Sequence, residues 1–98
     1  MADLSLASVV VAAPNQVHCQ VGDEVVLLHL ESAQYYGLNA VGARIWSLLQ
    51  EPIPLHRVRD ALVAEFDVAP DACERDLLAL VEQLRRAGLA EIRDAAAA

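Results

Sequence analysis

Between Val17 and Leu38 the chain keeps the two-residue rhythm of strands, and from Asn39 onward it changes to helical spacing. Val17, Cys19 and Val21 alternate with polar residues up to Gly22-Asp23, a hairpin signal. Residues 24–30 resume as a second strand with Val25-Val26-Leu27-Leu28 at its centre. A turn at Glu31-Ser32-Ala33 then leads into a third strand over residues 34–38. Three consecutive strands on short turns predict an antiparallel meander. Ahead of it, Val9-Val10-Val11 is β-prone and either adds a short strand or packs along the domain, and Pro14-Asn15 ends it.

Asn39 suits the start of a first helix, because its side-chain oxygen can accept a bond from an orphan helical N–H. Val41, Ile45, Leu48 and Leu49 follow at helical spacing, with Trp46 flanking the stripe. Pro52 and Pro54 end this helix and start a second, striped by Leu55, Val58, Leu62 and Phe66. Pro70 fits the first turn of a third helix, where its missing N–H costs nothing. Asp71 and Glu74 lie near that helix's positive end, and Arg85 and Arg86 near its negative end. Cys73, Leu77, Leu80, Val81 and Leu84 form its apolar side, and Gly88 suits the position after its last turn. Residues 89–92 read as a brief closing strand.

The fold class predicted is α+β: winged-helix-like, a three-stranded antiparallel sheet followed by a three-helix bundle. Each helix has one apolar stripe, so the three must pack on one another and on the sheet's inner face. Residues 9–92 form a single domain, flanked by flexible ends over residues 1–8 and 93–98.

Composition narrows the function. Ninety-eight residues suffice for one core without disulfides or metal. Apolar residues make up 56% of the chain, yet no apolar run approaches the ~20 residues of a membrane span. No basic region followed by an apolar core opens the sequence, which predicts a cytoplasmic protein with no membrane partner. Seven basic residues, all arginine, face fourteen acids for a net charge of -7. Such a surface serves solubility or mildly favours a basic partner, and it repels nucleic acid.

A winged-helix DNA-binding regulator is the alternative to weigh. Its recognition helix would be the third, which sets Asp71, Glu74, Asp76 and Glu82 against Arg75, Arg85 and Arg86. Cys19 and Cys73, far apart in sequence, are expected to be small buried hydrophobes. His18 and Cys19 point to opposite faces of a strand, and His29 and His56 are scattered, so no zinc spacing exists. Ser5, Ser8, Ser32 and Ser47 lie in no nucleophile motif, and there is no Gly-rich phosphate loop. Neither an enzyme nor a cofactor is expected.

Tyr35-Tyr36-Gly37-Leu38-Asn39, then Gly42-Ala43-Arg44-Ile45-Trp46, then Leu84 followed by Gly88-Leu89, resembles the PqqD-type peptide chaperones. These are also called RiPP recognition elements, after the ribosomally made and post-translationally modified peptides they serve. The Tyr-Tyr-Gly-Leu-Asn run is most similar to the free-standing leader-binding proteins of lasso-peptide pathways. The resemblance spans residues 17–92. It departs at Pro54, where such domains commonly carry a Thr or Ser cap.

The resemblance implies that a precursor's leader peptide adds as a strand to the exposed edge of the third strand, in the cleft beside the third helix. It also implies no chemistry: the peptide is handed to a transglutaminase-like leader protease and an asparagine-synthetase-like cyclase, or to another pathway's enzyme. An exposed edge can also pair with its own copy, so a homodimer through that strand is a further expectation.

The residues support this reading in their own terms. An edge strand presents unpaired N–H and C=O groups that an incoming peptide can satisfy. If Tyr36 and Leu38 point inward, Gln34 joins them and Tyr35 and Gly37 take the other face. Gly37 would let another backbone approach closely. On the third helix, Asp76, Leu80, Gln83, Leu84 and Ala87 share one mixed face. Leu80 and Leu84 would form an apolar floor for a leader aromatic or proline, with Asp76 and Gln83 as polar specificity groups. Tyr36, Leu38 and Trp46 read as core ahead of direct peptide contacts.

Overall fold

The computed structural model describes residues 4–14 and 16–93. The expected flexible ends therefore fall partly outside the described residues (1–3 and 94–98), as does Asn15. In chain order the elements are β1 (Val9–Ala12), β2 (Gln16–Val21), β3 (Glu24–His29), β4 (Gln34–Leu38), α1 (Ala40–Leu48), β5 (Ile53–Pro54), α2 (Leu55–Glu65), α3 (Pro70–Arg86) and β6 (Ala90–Ile92). The architecture is α+β, as the sequence predicts.

Alternation in residues 16–38 produces an antiparallel sheet of order β2-β3-β4. Gly22 opens the two-residue hairpin turn with φ 65°, a backbone position that glycine takes without strain, and Val21 pairs with Glu24 across it. Between β3 and β4, Ala33 closes the turn by donating to the His29 carbonyl at 2.8 Å. The register sets Leu27 opposite Tyr36 and Val25 opposite Leu38. Those four side chains therefore share the face on which the helices lie.

A second antiparallel sheet, β5-β1-β6, draws the two ends of the domain together. Val10 is fully buried at its centre. Ala12 donates to the Leu49 carbonyl at 2.7 Å and Ala13 to that of Leu89 at 2.9 Å, tying β1 to the ends of α1 and α3. The β-prone Val9-Val10-Val11 thus forms a strand. The two-residue β5 carries no sequence signal, because Pro52 and Pro54 read simply as helix breakers.

The core is continuous between the helices and the inner face of the meander. Trp46, Leu27, Leu49, Leu55, Leu62, Leu77, Leu89, Val10, Val58 and Val81 are its most deeply buried members. Asn39 caps α1 by accepting from the Gly42 N–H at 2.9 Å, an interaction that alanine would forfeit at about 1 kcal/mol. Pro54 precedes α2 with no side-chain cap, and Pro70 opens α3 at its first position. No helix among the described residues is long and apolar enough to cross a membrane.

The end of α3 is closed by a full set of turn bonds. Leu89 donates to the Leu84 carbonyl at 2.8 Å and Gly88 to that of Arg85 at 3.1 Å, the paired bonds of a Schellman motif. Gly88 makes this possible with φ 79°, and a β-carbon there would stand 2.9 Å from His29 Nε2. Gly88→Ala should cost about 1–2 kcal/mol for the left-handed backbone alone, read as a lower urea midpoint. An unchanged midpoint would contradict this account of the helix end.

One expectation is corrected. Cys73 is buried, but Cys19 is exposed. The alternation of Val17, Cys19 and Val21 places them on a common face, and that face points away from the helices. Val17 and Val21 are 50% and 60% exposed. The polar set takes the helix side instead, where the His18 ring meets Trp46 edge-on at 6.3 Å. Period two identifies residues that share a face but not which face the helices cover.

Candidate functional site: the cleft between strand β4 and helix α3

Among the described residues strand β4 pairs on one side only, with β3, so its other side is a free edge. Beside its C-terminal end opens a cleft of about 450 Å³. Gly37, Leu38 and Asn39 form one wall and Ala72, Cys73, Asp76, Leu77 and Leu80 of α3 the other. Val41, Gly42 and Ile45 of α1 line the cleft between them, with Leu62, Phe66 and Val68 from the α2 end and the turn after it.

The predicted residues distribute unevenly over this geometry. Gly37, Leu38, Asp76 and Leu80 come together around the cleft. Gln34, Tyr35 and Tyr36 lie on the same strand but outside the cleft lining. Tyr36 packs against the core and donates its hydroxyl to Gln34 Oε1 at 2.8 Å. Tyr35 is 71% exposed on the outer face, where it stands opposite Leu28. A β-carbon at Gly37 would meet nothing within 4 Å, so the strand is open there to another backbone. On α3, Leu84 is buried in the core, Gln83 is exposed and Ala87 is the C-terminal cap residue; none of these three lines the cleft.

Sequence reasoning missed the contribution of α1 and of the α2–α3 turn. One signal was present: Phe66 and Val68 are apolar residues bracketing Asp67 where a turn is expected to be polar. Both are only half-buried, as residues at a cleft rim would be.

Arginine bridges hold the three helices in place around this opening. Arg44 of α1 grips Glu65 of α2 through two bonds of 2.8 Å, which hold the Glu65 carboxyl below its ordinary range. Arg59 of α2 reaches Glu74 of α3 at 2.8 Å and Asp60 at 2.9 Å. At the far end of α3, Arg85 and Arg86 both lean on Glu82. Two of the three arginines on α3 are thus neutralised by a neighbour, which leaves the helix poorly equipped to grip phosphates.

The cleft's lining holds two ionisable side chains, Cys73 and Asp76. Burial foremost, with Asp76 adding to it, pushes the Cys73 thiol up and keeps it protonated at neutral pH. Ellman's reagent should therefore find one fast thiol in the native protein, Cys19, and release the second only on unfolding. Cys19→Ser should remove the fast phase, and two fast thiols would contradict the burial of Cys73. Among the described residues no three His, Cys, Asp or Glu side chains gather to hold a metal.

The chain is similar to TbiB1 in a solved complex with the TbiA(beta) leader peptide: 42% identity, TM-score 0.77, 83% of this chain and 94% of that one covered. It is also similar to a lasso peptide synthetase B1 complexed with the leader peptide, with 30% identity, a TM-score of 0.74 and coverage of 84% and 96%. No curated protein matches. Residues 24–90 match the family described as Coenzyme PQQ synthesis protein D (PqqD), a span running from the start of β3 to the start of β6. The chain therefore belongs to the PqqD family.

Proposed function

We propose that this protein is a non-catalytic chaperone for the leader segment of a ribosomally made precursor peptide. The leader adds as a strand to the free edge of β4 and lies in the cleft against α3. The observation that carries this reading is the coincidence of an unpaired strand edge with an adjoining apolar cleft. Backbone pairing along residues 34–38 supplies affinity with little sequence preference, and the cleft supplies selection. The two solved relatives, each complexed with a leader peptide, support the same assignment.

In this reading the bound leader is delivered to a leader protease and a cyclase, as in lasso-peptide pathways. A second copy pairing along β4 would occupy the edge the leader needs, so leader binding and such a dimer exclude each other. The test is a titration of fluorescent synthetic leader peptides, among them the TbiA(beta) leader bound by the similar TbiB1, followed by anisotropy. One-to-one saturable binding with the peptide recovered intact is expected. Cleavage of the peptide, or no binding in the micromolar range, would defeat the proposal.

A further inference from the structure

The cleft is mostly apolar and carries a charge at one point. Val41, Ile45, Leu62, Phe66 and Leu80 offer only hydrocarbon, and Asp76 is the single charged residue among those that line it. Four acidic side chains nearby are engaged, Glu65 with Arg44, Glu74 and Asp60 with Arg59, and Glu82 with Arg85, while Asp67 and Asp71 do not line the cleft. Asp76 makes no hydrogen bond or ion pair among the described residues, and no arginine lines the cleft. It is exposed and stands at the seventh position of α3, past the first turn where the helix dipole would favour an anion. Its exposed carboxylate is open to solvent water.

A peptide entering the cleft displaces that water. A carboxylate pressed against an apolar or acidic side chain then loses hydration with nothing in return, whereas a cation restores a partner. The penalty against wrong residues is what makes such a group selective. Resting on the leader-binding reading, we propose that Asp76 is a specificity-determining residue. It selects a lysine or arginine at the peptide position that passes it, beside the apolar side chains seated on the cleft floor.

The test is selection from a displayed library of random twelve-residue peptides against the wild-type protein, Asp76→Asn and Asp76→Arg. Both substitutions fall on exposed helix surface and should leave the melting temperature near wild type. The wild-type pool should share apolar anchors and, at a fixed offset from them, an excess of lysine or arginine. Asp76→Asn should keep the anchors and lose that excess, and Asp76→Arg should replace it with aspartate or glutamate. A lysine-bearing peptide from the wild-type pool should bind Asp76→Asn roughly tenfold more weakly. Shared anchors with the same charge preference in all three pools would overturn the role of Asp76 while leaving the leader site standing. Pools without any common motif would overturn both.

Discussion

Proline at position 35 or at position 36 should markedly weaken leader binding in one of the two variants while leaving its fold intact. Adjacent residues of an antiparallel strand alternate, one directing its N–H to the neighbouring strand and the next directing it outward. Since β4 pairs only with β3 among the described residues, one of Tyr35 and Tyr36 offers its N–H to the free edge. Proline at that position removes the donor and leaves a carbonyl of the incoming strand unpaired. Such an orphan costs about 1–3 kcal/mol, or roughly 5- to 150-fold in affinity. The other proline breaks the β3–β4 ladder and should show itself in the melting temperature first. Two variants that both fold and both bind the leader normally would remove strand addition from the account.

Trp46→Ala should be the most destabilising single substitution tested in this chain. Trp46 is the largest fully buried side chain, only 2% exposed, and it joins α1 to the meander. Truncating a buried aromatic costs about 3–5 kcal/mol, a large part of the about 5–15 kcal/mol that holds an ordinary domain together. The indole Nε1 is buried without a hydrogen-bond partner, so the residue already carries a penalty that phenylalanine would not. Trp46→Phe should therefore lose clearly less than Trp46→Ala. Urea unfolding followed by circular dichroism measures both, since the only tryptophan is gone in each. A Trp46→Ala protein within 1 kcal/mol of wild type would show that α1 is not anchored through this residue.

What the sequence made legible was the part governed by local rules. The change of period at Asn39 marks the strand-to-helix junction because the cap, the last strand residue and the first helical stripe are neighbours in the chain. Pro70 and Gly88 bracket α3 for the same reason: each satisfies a conformational demand of its own position. The rest depends on contacts between distant segments. Val17, Cys19 and Val21 look like an inward set, yet α1 settles on the opposite face, over His18, and no local signal in β2 reveals that choice. Residues of β1 find partners some forty and eighty positions away, so the second sheet was legible only as isolated β-prone fragments.

The cleft followed the same division. Helical spacing grouped Asp76 with Leu80, and both line the cleft; strand alternation grouped Leu38 with Tyr36, and only Leu38 does. Spacing could not locate the boundary between cleft and core, which falls between Leu80 and Leu84 on a single stripe. It also could not foresee that Val41 and Ile45 of α1, and Phe66 just past the end of α2, would line the space in between.

Amide hydrogen exchange of residues 34–38, compared with and without saturating leader peptide, tests the central claim most directly. Strand addition predicts that alternate amides of β4, those aimed at the free edge, become protected when the leader binds, while amides already bonded to β3 change little. Protection confined to α3, or no change along β4 with the peptide fully bound, would contradict it.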